Sequence, residues 1–452
     1  MIFWTLDRVA AALGDNISHR YPRGSTELSG ITTDSRNVGR GQLFVALVGE
    51  KFDGHDFLES AVEQGAGAVV VSRKVDGDAL GVPVYFVPDT LVALGDLANA
   101  YRRAWGGPVV MVAGSNGKTT TKDLIRAALS RAMKVHATTG NLNNRIGVPL
   151  TLLSMPPGAE IAVVEAGTNL PGEVAILRDI MDPDIAVVTS VAEEHLEGLG
   201  DIEGVLREEA AAFEGVRIAI TPAVQPEIAD AAHGKAHEVI TAGLEKGDLK
   251  PDSWSISPEG IGTLMLGRVT VTPPLRGLHN LQNAMLAFAV AHACGVSDQV
   301  AAAGIEAMSV PKMRVAWESL GRATLINDAY NANPGSTRAA IDIIRNVGDG
   351  RQRVIVLGTM RELGEASARC HDEISVIALA SGADVVAGVG EFADSLRRVG
   401  GSDERIVTAE SVESLWPILE PRISPDAVIL LKASRGVQLE QLVPHITTWA
   451  TT

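Results

Sequence analysis

Residues 109–121 read VVMVAGSNGKTTT, and this stretch decides the fold. The apolar run from Val109 to Val112 has the pattern of a buried parallel strand. Gly114 and Gly117 allow a tight turn and a close approach of the backbone to a ligand. A helix that begins at Lys118 would present free N–H groups and the positive end of its dipole to an anion. The stretch therefore predicts a strand, a phosphate-binding loop and a helix.

The loop departs from the usual Walker A pattern, GxxxxGK[ST]. Val112 stands where that pattern has its first glycine, so the match is the shorter GxxGKTT. Lys118 would bring positive charge to the β and γ phosphates, and a following hydroxyl could reach Mg²⁺. The alternative is a plain glycine turn. We expect a loop for a nucleoside triphosphate, which leaves the second substrate open.

The composition of the whole chain limits the class of protein. A length of 452 residues indicates roughly three domains. The net charge of −16 argues against nonspecific binding to nucleic acid or to anionic membranes. Cys294 and Cys370 lie in apolar helical patterns and are expected to be buried structural thiols in a reducing compartment. Without a signal peptide or a membrane-spanning run, we predict a cytoplasmic protein with no membrane insertion.

Strand-like and helix-like patterns alternate along most of the chain, which is typical of the α/β class with parallel sheets. We divide it into units at residues 1–85, 86–311 and 312–452. The first is predicted to be a small α/β domain, the second a parallel-sheet domain with the phosphate loop, and the third a doubly wound, Rossmann-like domain.

Two chemically active side chains follow neighbouring strands of the central unit. Glu165 ends the predicted strand Ile161–Glu165, and His195 follows the predicted strand Ile185–Thr189. Because ligands of such sheets lie at the carboxyl ends of strands, a carboxylate and an imidazole there suit Mg²⁺. Each one alone would more often be structural or solvated.

Polar clusters lie between the apolar runs elsewhere. In the first unit they are residues 33–36 (TDSR) and 49–55 (GEKFDGH), where binding loops belong but where turn chemistry is an equal alternative. The central unit has the amide cluster Asn141–Asn144. In the third unit, residues 327–334 (NDAYNANP) follow the first strand and residues 432–435 (KASR) follow the last one.

These motifs, in this order, resemble those of the Mur ligases, the ATP-dependent amide-forming enzymes of peptidoglycan assembly. The resemblance covers essentially the whole chain. It rests on TDSR (33–36), DGHDF (53–57), GSNGKTTTK (114–122), GNLNNRIGVPLTLL (140–153), EAGTNLPGE (165–173), HLEGLG (195–200), HNLQNA (279–284), DAYNANP (328–334), RELGEASARCH (361–371) and KASR (432–435).

The resemblance implies three domains: one that binds the UDP end of a substrate, a central ATPase and a C-terminal ligase domain. GNLNN and DAYNANP are similar to the branch that joins D-alanyl-D-alanine to UDP-N-acetylmuramoyl-tripeptide, through an acyl phosphate and with release of ADP and phosphate. ATP and Mg²⁺ would be the cofactors, and a monomer without nucleic-acid partners is expected. The alternatives are a ligase of the same fold with another substrate, such as a folylpolyglutamate or tripeptide ligase, and a catalytically weak ATP-binding relative.

Site residues are carried over from the resemblance position by position. The catalytic residues would be Lys118, Glu165 and His195. The ATP-binding residues would be Gly114, Ser115, Asn116, Gly117, Lys118, Thr119, Thr120, Asn283, Arg314, Asp328 and Asn331. The substrate-binding residues would be Thr33, Ser35, Arg36, Asp53, His55, Asn143, Asn144, Lys432 and Arg435. The metal ligands would be Thr119, Glu165, His195 and Glu209.

The chain departs from the family pattern in two places. In the family, a lysine on the helix after HLEGLG is carbamylated and helps to hold a second Mg²⁺. Counted without gaps from His195, that position is Glu209, and Ala211 stands where a glutamate is frequent. The sequence at 358–360 (GTM) also lacks the aspartate of the family's LGDM. The phosphate chemistry is expected to be intact. The two changes leave undecided, at the level of sequence, whether a second metal ion is bound.

Overall fold

A computed structural model describes residues 3–14, 18–19, 26–310, 313–347 and 350–451. The boundary predicted between the second and third domains, at residues 311 and 312, lies outside these residues. Within the described part of the chain, no helix is both long and apolar enough to cross a membrane.

The amino-terminal third of the chain is built from short strands and helices. The strands are β1 (Trp4–Thr5), β2 (Ser18–His19), β3 (Glu27–Leu28), β4 (Ile31–Thr32), β5 (Leu43–Val45), β6 (Ala68–Val71) and β7 (Val84–Phe86). The helices are α1 (Leu6–Leu13), α2 (Leu58–Glu63), α3 (Gly77–Leu80) and α4 (Thr90–Trp105). Strands β4 to β7 form a parallel sheet that β2 extends antiparallel, in the order β2-β7-β6-β5-β4.

The central part of the chain contains the phosphate-loop sheet. Its strands are β8 (Val109–Ala113), β9 (Val135–Ala137), β10 (Ile161–Glu165), β11 (Ile185–Val188), β12 (Ile218–Pro222) and β13 (Glu238–Ala242). The helices are α5 (Lys118–Leu129), α6 (Gly147–Leu153), α7 (Glu173–Met181), α8 (Leu196–Leu199), α9 (Ile202–Glu209), α10 (Pro226–Ala232), α11 (Leu278–Ala293) and α12 (Asp298–Glu306). The sheet order is β13-β12-β11-β8-β10-β9, as a doubly wound topology requires.

An antiparallel sheet that the sequence reading missed follows β13. It contains β14 (Ser253–Ile256), β15 (Gly262–Leu266) and β16 (Val269–Val271) in sequence order. The alternation of β15 is clear, with Leu264 and Leu266 buried and Met265 exposed between them. Short runs of this kind are hard to separate from loops by pattern alone.

The carboxyl-terminal part forms a second α/β sheet. Its strands are β17 (Ala316–Leu320), β18 (Ala323–Asp328), β19 (Arg353–Gly358), β20 (Val385–Val389), β21 (Ile406–Ala409) and β22 (Val428–Lys432). Its helices are α13 (Pro334–Asn346), α14 (Ser367–Ala380), α15 (Glu391–Gly400), α16 (Val412–Leu419) and α17 (Leu442–Thr451). The order is β17-β18-β22-β19-β20-β21, and β17 is an antiparallel edge strand that the sequence reading did not predict.

Both faces of this sheet are covered. Along β22, Ile429 and Leu431 pack in one apolar cluster, whereas Val428 and Leu430 pack in another. Because successive strand residues point to opposite faces, the two clusters lie on opposite sides of the sheet. This arrangement confirms the predicted doubly wound fold.

The contacts divide the chain into two compact units. The first contains Met1–Met111, Lys134–Thr168 and Glu173–Asp184, and the second contains Val112–Met133, Asn169–Gly172 and Ile185–Thr452. The phosphate loop and the whole carboxyl-terminal sheet therefore belong to the second unit.

Candidate active site

The phosphate loop has the predicted strand–turn–helix form. β8 is buried throughout, and α5 begins at Lys118. Gly114 and Gly117 have φ angles of 117° and 84°, a region that favours glycine. A Cβ atom on Gly117 would lie 2.9 Å from Oδ1 of Asn283, and one on Gly114 would lie 2.7 Å from the amide nitrogen of Thr189. Both glycines are therefore required by conformation and by space.

The segment after β11 holds this loop by hydrogen bonds. The amide of Ser115 donates to the carbonyl of Ser190 at 2.8 Å, and the amide of Asn116 donates to Ser190 Oγ at 2.9 Å. Thr189 Oγ1 donates to the carbonyl of Asn116 at 2.6 Å. The loop is thus fixed before any ligand binds, which reduces the entropy lost on binding.

The candidate catalytic lysine lies at the start of α5. Lys118 Nζ donates to the carbonyls of Gly114 and Ser115, at 2.5 and 3.1 Å. Thr119 is half-buried and Thr120 buried in the same helical turn. The ammonium group therefore lies against the loop that would hold the phosphates.

Two adjacent glutamates of α9 are buried and bind different segments. Glu209 Oε2 accepts a hydrogen bond of 2.7 Å from the amide of Gly114, and Glu208 Oε2 accepts one of 2.7 Å from the amide of Gly172. Burial raises the pKa of Glu209 to about 7, against the lowering effect of Lys118. Neither glutamate is a solvated helix carboxylate, because both are buried.

His195 lies between two carboxylates. Its Nε2 is 3.2 Å from Oε1 of Glu194, and its Nδ1 forms a short contact with Glu362. Burial lowers the pKa of His195, but bonds to the two carboxylates outweigh burial and raise it to about 9. A metal ligand must be a neutral imidazole, so a cation would have to replace a proton here.

Three residues of this cluster were missed by the sequence reading. Glu194 and Glu362 surround His195, and Asn333 Nδ2 donates to Oδ1 of Asn116 at 2.8 Å. Glu194 immediately precedes His195, so proximity in sequence was an available signal. Glu362 and Asn333 lie in motifs that the sequence reading quoted, RELGEASARCH and DAYNANP, but it did not assign them to the site.

A cavity of about 480 Å³ in the second unit is lined by Val315 and Asn327, which adjoin in sequence the predicted ATP-binding residues Arg314 and Asp328. The guanidinium of Arg314 stacks on Tyr330 at 4.1 Å, and the amide of Val315 donates to Asp328 Oδ1 at 3.0 Å. Asn283 is buried on α11 and faces Gly117. The cavity lining includes Leu275, Arg276, Met313, Val315, Trp317 and Asn327.

The predicted cationic pair at the end of β22 separates into two environments. Lys432 is buried, and its Nζ lies 2.7 Å from Asp328 Oδ2 and 2.7 Å from the carbonyl of Asn331. Arg435 is exposed and bonds to Glu440 at 2.7 Å. Only Arg435 of this pair therefore presents its charge to solvent.

In the first unit, the amide cluster contacts the strand-end carboxylate. Asn143 Nδ2 donates to Glu165 Oε1 at 2.9 Å. Oε2 of Glu165 is buried and lacks a hydrogen-bond partner within the described residues. A buried carboxylate oxygen without such a partner is suited to binding a cation. Asn144 has turn chemistry instead, since its Oδ1 accepts from the amides of Ile146 and Gly147 at the start of α6.

The polar clusters of the amino-terminal sheet are partly structural. His55 is buried, with Nδ1 2.6 Å from Asp53 Oδ1 and Nε2 accepting from the amide of Ser72 at 2.9 Å. This geometry favours the turn alternative for Asp53 and His55. Residues 33–36 form a turn in which the exposed Arg36 pairs with Asp34 at 2.8 Å, whereas Thr33 and Ser35 are half-buried.

Across residues 3–14, 18–19, 26–310, 313–347 and 350–451, no group of three or more His, Cys, Asp and Glu side chains is placed to hold a metal ion. Neither cysteine forms a disulfide bond: Cys370 is buried as predicted, whereas Cys294 is only half-buried, directly after α11.

Comparison with known proteins shows which family has this combination of loops. Residues 112–291 match the Mur ligase middle domain, and residues 313–435 match the Mur ligase, glutamate ligase domain. Residues 27–102 match the Mur ligase family, catalytic domain. The chain belongs to the Mur ligase family.

Relatives of this Mur ligase match along nearly its full length. The UDP-N-acetylmuramoyl-tripeptide–D-alanyl-D-alanine ligase of Bacillus subtilis is 35% identical, over 93% of each chain. A crystal structure of MurF from Acinetobacter baumannii has a TM-score of 0.90 and 30% identity, covering 98% of this chain and 99% of that one. MurF from Thermotoga maritima, solved in complex with ADP, has a TM-score of 0.83 and 26% identity, covering 93% and 97%.

In this Mur ligase, the middle and carboxyl-terminal family segments meet at the phosphate loop. Asn116 and His195 lie in the middle segment, whereas their partners Asn333 and Glu362 lie in the carboxyl-terminal one. A sequence separation of 217 residues lies between Asn116 and Asn333. The loop is therefore completed by side chains from both segments.

Proposed function

We propose that this Mur ligase joins D-alanyl-D-alanine to UDP-N-acetylmuramoyl-tripeptide, with ATP as the energy source, in cytoplasmic synthesis of peptidoglycan precursors. The similarity to the Bacillus subtilis enzyme of that name, along 93% of the chain, carries the proposal. The ADP complex of the Thermotoga maritima relative supports ATP as the nucleotide. The preformed phosphate loop is the matching feature of this chain.

The reaction follows from the chemistry of a carboxylate, which is a poor electrophile. Transfer of the γ-phosphoryl group to the terminal carboxylate of the tripeptide gives an acyl phosphate. The neutral amine of D-alanyl-D-alanine then attacks the acyl carbon, and phosphate leaves. Lys118 and the loop amides neutralise charge on the phosphates, so catalysis is mainly positioning and electrostatic stabilisation.

The rest of the nucleotide is proposed to lie beside the 480 Å³ cavity. Asp328 can accept hydrogen bonds from ribose hydroxyls through a carboxylate that the backbone of Val315 already orients. Arg314 offers a flat cationic surface held on Tyr330. Asn283 and Asn331 complete the set predicted for ATP.

Mg²⁺ is proposed as the cofactor, because phosphoryl transfer needs the charge neutralisation that it supplies. The buried, unpartnered oxygen of Glu165 within the described chain fits a cation ligand. Thr119 offers a hydroxyl in the first turn of α5. His195 and Glu209 are the candidates for a second ion, and both already make internal bonds.

The binding of the two other substrates is proposed from position in the family motifs. Thr33, Ser35 and Arg36 lie in the turn of the amino-terminal region that would take the UDP end, and Arg36 is exposed there. Asn143 and Asn144 would lie near the peptide and its phosphate. Asp53 and His55 would support the region that takes the UDP end. Lys432 and Arg435 would lie near the reacting groups.

Three further features are proposed for the intact protein. Its domains span residues 1–85, 86–311 and 312–452; the family-model matches at 27–102, 112–291 and 313–435 support three domains but not these limits. The enzyme acts as a monomer, which light scattering can test. It acts in the cytoplasm, where cysteines such as Cys294 and Cys370, which form no disulfide, stay reduced.

Release of phosphate from ATP tests the function. It should require both UDP-N-acetylmuramoyl-tripeptide and D-alanyl-D-alanine, and mass spectrometry should show the pentapeptide product. Tripeptides with lysine or diaminopimelate in third place would establish which one is used. Phosphate release without the dipeptide, or with folate and glutamate instead, would contradict the proposal.

A further inference from the structure

Ser434 lies in the KASR segment after β22, between the proposed substrate-binding residues Lys432 and Arg435, and it is buried. A short helical turn, Arg435–Val437, begins directly after it. Serine at such a position usually caps the turn with its hydroxyl group, but the side chain of Ser434 makes no capping bond. The hydroxyl group of Ser434 is instead bound to other parts of the chain.

Three loops meet at Ser434. Its Oγ donates to the carbonyl of Ala332 at 3.2 Å and accepts from the amide of Arg361 at 3.0 Å. Its own amide donates to the carbonyl of Thr359 at 3.2 Å. Ala332 follows β18, whereas Thr359 and Arg361 follow β19. Because β18, β22 and β19 are adjacent parallel strands, one serine joins the three loops at their carboxyl ends.

The loop after β18 reaches the phosphate loop. Asn333, which directly follows Ala332, donates from Nδ2 to Asn116 Oδ1 at 2.8 Å and caps α13. Gly335 in the first turn of α13 is also close, since a Cβ atom there would lie 3.3 Å from Nδ2 of Asn116. A shift of the backbone at Ala332 would therefore disturb the contact of α13 with the phosphate loop.

The loop after β19 reaches the segment between β11 and α8. Glu362, which directly follows Arg361, contacts the side chain of His195, and its carbonyl accepts from the amide of Glu197 at 3.3 Å. Each hydrogen bond of the Ser434 hydroxyl group thus holds the backbone one residue away from a contact between the carboxyl-terminal and middle family segments.

We propose that Ser434 is a positioning residue for the ligation reaction, which aligns the two carboxyl-terminal loops with the phosphate loop. This role rests on the proposed function. Phosphoryl transfer depends on the alignment of groups from both segments, and small errors of position lower its rate strongly. The phosphate loop itself is held by Thr189 and Ser190 of its own segment. Loss of the hydroxyl group should therefore lower kcat more than nucleotide affinity.

Ser434→Ala removes the hydroxyl group and keeps the backbone bond to Thr359. We expect kcat for ligation at saturating substrate concentrations to fall about tenfold or more, because alignment is lost. The Kd of a fluorescent methylanthraniloyl ADP should stay within about twofold of the wild-type value, because the loss concerns the reaction rather than binding. An unchanged kcat, or a Kd that rises as much as kcat falls, would overturn the proposal.

Ser381→Ala is the matched control. Ser381 is also buried, and its Oγ donates to the carbonyl of Ala378 at 2.6 Å and accepts from the amide of Ala383 at 3.2 Å. Ser381 precedes β20, which is parallel to β19, so it lies at the opposite edge of the sheet from Ser434. Both alanine variants should lose a similar amount of melting temperature. Only Ser434→Ala should lose kcat, and an equal loss in Ser381→Ala would overturn the positioning role.

The route through Asn333 has its own test. Asn333→Ser keeps a side chain that can cap α13 and removes the amide that reaches Asn116. If Ser434 acts through the position of Asn333, this substitution should slow Ser434→Ala by a smaller factor than it slows the wild type. Losses that multiply in the double variant would show that the two residues act independently, which would overturn the proposed alignment.

The result for Ser434 can be separated from the result for the proposed ligation. A wild-type protein that binds the ADP analogue but forms no pentapeptide would contradict the proposed function and, with it, the role of Ser434. An active wild type with an unchanged kcat in Ser434→Ala would contradict the role of Ser434 alone.

Discussion

The carboxylate of Glu209 accepts a hydrogen bond of 2.7 Å from the backbone N–H of Gly114, the first glycine of the phosphate loop. A residue near the end of α9 is thereby tied to the end of β8. Glu209 stands where the family carries a carbamylated lysine, which is a carboxylate on a longer stem. A shorter carboxylate must lie closer to the loop, and this bond places it there.

Glu209→Gln is therefore expected to raise the Mg²⁺ concentration needed for half-maximal ligation and to slow the reaction. Glutamine keeps an oxygen acceptor for Gly114 but lacks the negative charge that a cation requires. A Mg²⁺ titration of the initial rate is the measurement. No dependence on added bicarbonate is expected in the wild type, because no lysine is present there to react with CO₂.

Glu208→Gln is the control for this experiment. Its acceptor role toward Gly172 is preserved by glutamine, so its Mg²⁺ titration should match that of the wild type. Wild-type kinetics in Glu209→Gln across the whole titration would show that its carboxylate only supports Gly114.

Lys118→Ala should abolish turnover with little change in stability. The ammonium of Lys118 donates to the carbonyls of Gly114 and Ser115 in its own loop. Lys118 is half-buried, so we expect the free energy of unfolding to fall by about 1 kcal/mol, which leaves the protein folded. A melting curve and a phosphate-release assay are sufficient, and near-normal ligation by the folded variant would refute the phosphate-loop assignment.

Gly117→Ala should remove nucleotide binding beyond any effect on stability. Alanine at its φ of 84° is strained by about 1–2 kcal/mol, and its Cβ would lie 2.9 Å from Asn283. Gly234→Ala is the matched control, since Gly234 has a φ of 82° and open space around it. Binding of the ADP analogue should fail only in Gly117→Ala; equal binding by both variants would mean that the loop tolerates a side chain.

Features encoded within one short stretch of residues could be predicted from the sequence. The phosphate loop could be predicted because strand, glycines and helix start all lie within residues 109–121. The strand Ile161–Glu165 has the predicted bounds, since continuous apolar runs mark buried parallel strands. The edge strand β17 has mostly half-exposed or exposed residues and gives no such signal.

The spacing of residues along the sequence could not predict contacts between distant segments of the chain. Nothing in the pattern pairs Asn116 with Asn333, because their contact depends on where two separate segments pack. A polar cluster also looks the same whether it binds a ligand or supports a turn. His55 illustrates this: only its burial and its bonds to Asp53 and Ser72 show that it supports a turn.

Acid should destabilise the carboxyl-terminal sheet through His371. Its buried ring accepts a hydrogen bond from the amide of Met360 through Nε2, at 2.9 Å, and donates from Nδ1 to the carbonyl of Ser367. Burial lowers the pKa of His371 below its ordinary 6.5, against the opposing effect of the nearby Glu391. Below about pH 6.5 the unfolded chain therefore takes up a proton that the folded ring does not.

The free energy of unfolding should fall as the pH decreases from about 6.5 until the folded ring titrates. Denaturant unfolding of the wild type and His371→Gln at several pH values measures this. The variant should be less stable at pH 8, since one hydrogen bond is lost, and should show a shallower acid slope. Parallel slopes would exclude His371 as a source of the pH dependence.

Lys432→Met should lower the free energy of unfolding more than replacement of a lysine that only binds substrate would. The ion pair of Lys432 and Asp328 is buried at 2.7 Å, and removal of one partner leaves a buried charge uncompensated, at a cost of about 3–5 kcal/mol. Asp328→Asn in the same chain removes that charge and keeps an oxygen for the amide of Val315. The double variant should therefore recover most of the lost free energy of unfolding.

Arg435→Met, which breaks the pair of an exposed arginine, should cost about 1 kcal/mol or less. A Lys432→Met protein of wild-type stability would show that the lysine serves the substrate alone, whereas recovery in the double variant would assign it to the fold of the site.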